Sequence, residues 1–125
     1  MAGVINSLYV TRIPEELTAQ AYMAQAVAQI RMRYPDAKPF RGKSADMFVQ
    51  SKGGVNLPQV YRARLDITDN GRKLMTKVQT ARVGPWLVKM RTTGPTEPEM
   101  VTDLVSEVSF STVLGRITGV LGGPG

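Results

Sequence analysis

The chain has 125 residues, 42% of them apolar and 21% charged, the proportions of a folded domain with one modest core. Lysines and arginines number 16 against 10 acids, a net charge of +6, which favours anionic partners such as nucleic acid or a phospholipid surface but specifies no fold. Cysteine and histidine are both absent, which excludes disulfides, thiolate metal sites and every nucleophile that relies on an imidazole.

Residues 4–11, "VINSLYVT", are β-branched and aromatic and lie between Gly3 and Pro14. They predict a strand. Residues 15–34 are rich in alanine, glutamine and methionine, all good helix formers. Met23, Val27, Ile30 and Tyr34 fall on one stripe there, beside the small Ala19 and Ala26 with Ala37 beyond. Arg31 and Arg33 favour the carbonyl end of that helix, and Pro35 stops it.

Residues 36–58 carry Pro39, Gly42, Gly53, Gly54 and Pro58 together with Lys38, Arg41, Lys43 and Lys52. This reads as a basic loop, with a short strand at residues 46–50. Residues 59–68, "QVYRARLDIT", alternate cleanly. Tyr61, Ala63, Leu65 and Ile67 point one way, and Arg62, Arg64 and Asp66 the other. Asn70-Gly71 then suits a type I′ turn. That turn sets Asp69 opposite Arg72, Ile67 opposite Leu74, Leu65 opposite Thr76 and Ala63 opposite Val78. The apolar sets meet, as a one-residue slip would not allow. The same register sets Arg64 opposite Lys77 and Thr68 opposite Lys73, so like charges face each other at a small cost.

Residues 82–85 form a second short connection, and Pro85 suits a strand start. Trp86, Val88 and Met90 share one face of the next strand, with Trp86 expected to anchor the core. Leu87, Lys89 and Arg91 share the other. Gly94-Pro95 ends the sheet, and Thr96 with Glu99 forms a capping box. The helix that follows has Met100, Leu104 and Val108 on one stripe, with Val101 and Val105 beside it. Glu97, Asp103 and Glu107 lie on its other face. Helical order is expected to run through Val113, Leu114 and Ile117, with or without a break, and the tail "GVLGGPG" to be irregular.

The expected fold class is α+β, a single domain over residues 1–125. Its antiparallel sheet is a three-strand meander plus edge strands, with helices packed on one face. No stretch is long and apolar enough to span a membrane, and the first residues do not read as a secretory leader. The close acid pairs are Glu15 with Glu16, Asp66 with Asp69, and Glu97 with Glu99. Capping, the helix dipole and turn chemistry account for those at helix starts and at the turn. No enzyme, metal site or cofactor is therefore expected. Met23, Met32, Met75, Met90 and Met100 read as core and interface filler.

The main functional candidate is a basic sheet face made by Arg62, Arg64, Lys73, Lys77, Lys89 and Arg91. Such a face can follow a phosphate backbone, with arginine pairing phosphate oxygens in a bidentate way. Its alternative is plain solvation, since runs of charge usually keep a sheet soluble. The face lacks aromatics, so stacked readout of bases is not expected.

Two resemblances frame these residues. "YRARLDITDNGRKLMTKV" followed by "WLVKMRTTGPTEPEMVTDLVSEV" resembles the coat proteins of single-stranded RNA bacteriophages. That resemblance implies a structural, self-associating, dimer-building protein of a virion. It would turn Arg62, Arg64, Lys73, Lys77, Lys89 and Arg91 toward RNA, and set Met100, Leu104 and Val108 against a partner's sheet. The order strand, helix, antiparallel strands, helix is similar to small exported α+β domains of the PsbP-like type. That order implies instead a protein-interaction domain, cytoplasmic or exported with its leader removed, whose basic face is only solvated.

Overall fold

The structure, a computed structural model, describes residues 3–41, 58–97 and 100–121. The elements in chain order are β1 (Ile5–Arg12), α1 (Ala19–Arg33), β2 (Lys38–Pro39), β3 (Tyr61–Asp69), β4 (Arg72–Val83), β5 (Trp86–Pro95) and α2 (Val101–Leu121). The strands form one antiparallel sheet in the order β1-β5-β4-β3-β2. An α+β fold with a central meander is what the sequence predicts. The short strand expected at residues 46–50 lies outside the described residues.

The Asn70-Gly71 turn sets the register of the central hairpin. Both residues have positive φ, 51° and 78°, as a type I′ turn requires. Asp69 pairs with Arg72, Ile67 with Leu74, Leu65 with Thr76 and Ala63 with Val78. Gly84 (φ 57°) and Pro85 make the second turn, which pairs Val83 with Trp86 and Ala81 with Val88.

The helices cover opposite faces of the sheet, which corrects the expectation that they share one. Met23, Ala26 and Ile30 of α1 pack on Leu65, Ile67, Leu74 and Val78. Phe110 and Leu114 of α2 pack on Ala81, Val83, Val88 and Met90. Val78 and Ala81 have opposite parity along β4, so they point to opposite faces.

Thr18 caps α1, its hydroxyl accepting from the Ala21 amide at 3.0 Å. Arg82 fastens the β1–α1 loop by donating to the carbonyls of Pro14, Glu15 and Leu17, and donates from Nε to the Gly84 carbonyl in its own turn. At the other end of the sheet, α2 lies close on the backbone of β5. A Cβ on Gly94 would stand 2.6 Å from the Thr102 hydroxyl, which itself donates to the Pro95 carbonyl at 2.6 Å. The helix runs unbroken from Val101 to Leu121, so the first residues of the glycine-rich tail are helical, contrary to expectation. Glu99, half of the expected capping box, lies outside the described residues. Trp86 is only half-buried. It pairs with Val83 at the strand's start, and the core beneath α2 is anchored instead by the buried Phe110 and Leu114.

Candidate functional site

The six cations expected on one sheet face divide between two faces. β4 pairs with β5 through a two-residue turn, so Lys77 stands opposite Thr92, and Gln79 opposite Met90. Even-numbered residues of β5 therefore share the face of Lys77. Lys89 and Arg91 lie on the other one, the face that α1 partly covers. Lys89 sits over the ring of Tyr9, 5.2 Å from its centroid, and Arg91 donates from Nε to the Thr76 hydroxyl at 3.1 Å.

Arg62, Arg64 and Lys77 do lie together, with Lys73 exposed at the far end of the same face. That face is not open, because α2 lies across it and brings its own acids. Arg62 Nε donates to Glu107 Oε2 at 2.8 Å, and Arg64 Nε to Asp103 Oδ1 at 2.6 Å. Lys77 Nζ donates to Asp103 Oδ1 at 2.7 Å and also to Glu107 Oε2. Gln79 adds a bond to Glu107 Oε2 at 3.0 Å. Lys77 has 0% exposure and Glu107 1%.

This pairing explains the two oddities of the sequence. Arg64 does stand opposite Lys77, but two carboxylates from α2 compensate both. Acids gather on α2 because cations gather on the strands below. Burial lowers the Lys77 ammonium below its ordinary range, against the opposing pull of Asp103 and Glu107. Burial alone would raise Glu107, but hydrogen bonds from Arg62 and Lys77 outweigh it and hold the carboxyl below its ordinary value. Perturbed groups of this kind often mark active sites. Here Lys77 and Glu107 lie buried under α2, and their contacts tie that helix to the sheet.

Once α2 turns its acids inward, its amphipathicity is inverted along the first turns. The residues facing the sheet include Thr102, Asp103, Ser106 and Glu107, all buried. The residues facing outward include Val101, Leu104, Val105 and Val108, exposed by 37–51%. Leu104 and Val108, named above as interface candidates, thus stand in solvent. Met100 precedes the helix, half-buried and with φ at 71°. A second exposed apolar row lies on β1, where Ile5, Leu8, Tyr9 and Val10 are 41–68% exposed.

An open cleft of about 930 Å³ lies beside β2 and β3. It gathers Lys38, Arg41 and Lys73 with Asp36, Asp66 and Glu97, so its charges cancel and no phosphate is favoured there. Among the described residues, no three acids converge as metal ligands, and no helix is long and apolar enough to cross a membrane. No family model matches the chain, and no curated protein matches it.

Proposed function

We propose that this chain is a non-enzymatic structural module that works by associating with copies of itself. The observation that carries the proposal is the inverted helix α2. An amphipathic helix on a sheet normally turns its apolar stripe inward. Here Val101, Leu104, Val105 and Val108 face outward while Asp103 and Glu107 are spent on the sheet. A contiguous exposed apolar patch of this kind marks an association surface. Size-exclusion chromatography with light scattering tests it. The wild type should run above its monomer mass of 13.7 kDa. A Leu104→Glu/Val108→Glu variant should fall toward that mass with an unchanged melting profile. A wild type that stays monomeric at every concentration overturns the proposal.

A second reading keeps contact with RNA or another polyanion but moves it. Lys89 and Arg91 stand on the sheet half beside exposed Tyr9, outside the ion cluster under α2. Phosphate groups would meet cations and one aromatic ring there, with affinity that falls as salt rises.

A further inference from the structure

The two edges of the sheet are built differently. β2 ends one side with two residues, Lys38 and Pro39. Brevity, a lysine and a proline are the devices that keep a sheet edge from pairing with another chain. β1 ends the other side with eight residues, INSLYVTR. It has no proline and no charge before Arg12, and it exposes Ile5, Leu8, Tyr9 and Val10. Among the described residues no strand pairs with its outer side, and an edge of that length and composition is open to a further strand.

The free hydrogen-bonding groups of β1 can be identified. Ile13 donates its amide to the Pro85 carbonyl at 3.0 Å, and β1 pairs with β5 without a break from Arg12–Trp86 to Ile5–Thr93. In an antiparallel ladder successive residues aim their N–H and C=O groups in alternating directions. Odd-numbered residues of β1 therefore bond to β5, and Asn6, Leu8, Val10 and Arg12 aim theirs outward. An incoming antiparallel copy of β1 must match these even positions with its own.

We propose that the occupant of this edge is the β1 strand of a second copy, related by a two-fold axis that passes between the two Tyr9 residues. In this register Leu8 faces Val10 of the second copy and Val10 faces its Leu8, both on the α2 side. On the other side Tyr9 faces Tyr9, and Ser7 faces Thr11. Asn6 faces Arg12 at the ends. Apolar residues meet apolar ones, hydroxyls meet hydroxyls, and no like charges are opposed. A shift of two residues keeps the even positions matched but sets Asn6 against Val10 and Ser7 against Tyr9. The complementary register is thus specific. A two-fold axis normal to the sheet keeps both α2 helices on one side of a joined sheet. The seam between them is then floored by Leu8 and Val10 from both copies.

The proposal rests on the reading that the chain self-associates, but it concerns a different surface from the α2 stripe. Because the chain has no cysteine, a single introduced one reports directly. Tyr9→Cys places two thiols in a non-hydrogen-bonded pair, where Cα atoms lie about 4.5 Å apart, within disulfide reach. Under oxidised glutathione at micromolar protein, this variant should form a covalent dimer on a non-reducing gel. Thr11→Cys, whose neighbour is Ser7 of the second copy, should not. Val10→Lys should lower the mass of the wild-type assembly with an unchanged circular dichroism melt. Equal cross-linking of Tyr9→Cys and Thr11→Cys, or none in either, overturns the inference. If the assembly responds to Leu104→Glu/Val108→Glu but not to Val10→Lys, the association reading stands and the β1 pairing falls.

Discussion

Lys77 carries an ammonium into a site with no water-facing surface because Asp103 and Glu107 both reach it from α2. Desolvating such a group is expensive, and attraction repays the cost only while the partners remain. Removing one partner leaves charge uncompensated, so Glu107→Gln should cost about 3 kcal/mol in urea unfolding at neutral pH. The pH dependence has a definite sign. The Glu107 carboxyl sits below its ordinary value of 4.5 in the folded chain, so the unfolded chain binds its proton first as pH falls. The stabilisation from Glu107 is therefore complete above that value and is lost as pH drops toward the lower, folded value. The wild-type unfolding midpoint should hold down to about pH 5 and fall below it. Glu107→Gln should begin lower and fall less steeply. An equal fall in both proteins would show that other carboxyls govern acid unfolding.

At the scale of elements, α2 is fixed by charge on one flank and by close backbone approach near its start. Gly94 allows the latter, since a Cβ there would press on Thr102 Oγ1 at 2.6 Å and on Val4 at 3.1 Å. Gly94→Ala should therefore lift the helix start and cost about 1–3 kcal/mol, read as a lower melting temperature. A variant as stable as the wild type would mean that Thr102 turns aside freely. The hairpin from β3 to β4 was legible in the sequence, because Asn70-Gly71 and the alternation around Leu65 and Ile67 agree. The same turn logic applied to Gly84-Pro85 would have paired Val83 with Trp86, and so placed Lys89 and Arg91 away from Lys77. Grouping β5 by its apolar side alone hid that. The direction of α2 was illegible to the apolar-stripe rule, since Leu104 and Val108 read as the inward face. The usable signal was complementarity of sign. A strand pair rich in cations and a helix with Asp103 and Glu107 one turn apart are each poorly satisfied alone and satisfied together.

At the scale of the whole molecule, pairing redistributes the excess charge. The net charge is +6, but Arg62, Arg64 and Lys77 are engaged with Asp103 and Glu107. The two carboxylates offset two of these three charges at close range, so the cluster adds only about one charge to attraction at a distance. Lys89 and Arg91 stand on the opposite face, and two copies joined through β1 would set both pairs along one side of a common sheet. If a polyanion is held, affinity should follow these two residues. The test is retention on a heparin column with a salt gradient, beside the 260/280 nm absorbance ratio of freshly purified protein. Lys89→Glu/Arg91→Glu should elute at clearly lower salt than the wild type, and Arg62→Gln should elute close to it. Every cation taken away from a phosphate should also flatten the dependence of affinity on salt by about one unit of log–log slope. An Arg62→Gln effect as large as that of the double variant would place the polyanion under α2, where the helix would have to swing away to admit it. A wild type that passes through the column at low salt would leave the basic face with solvation as its only role.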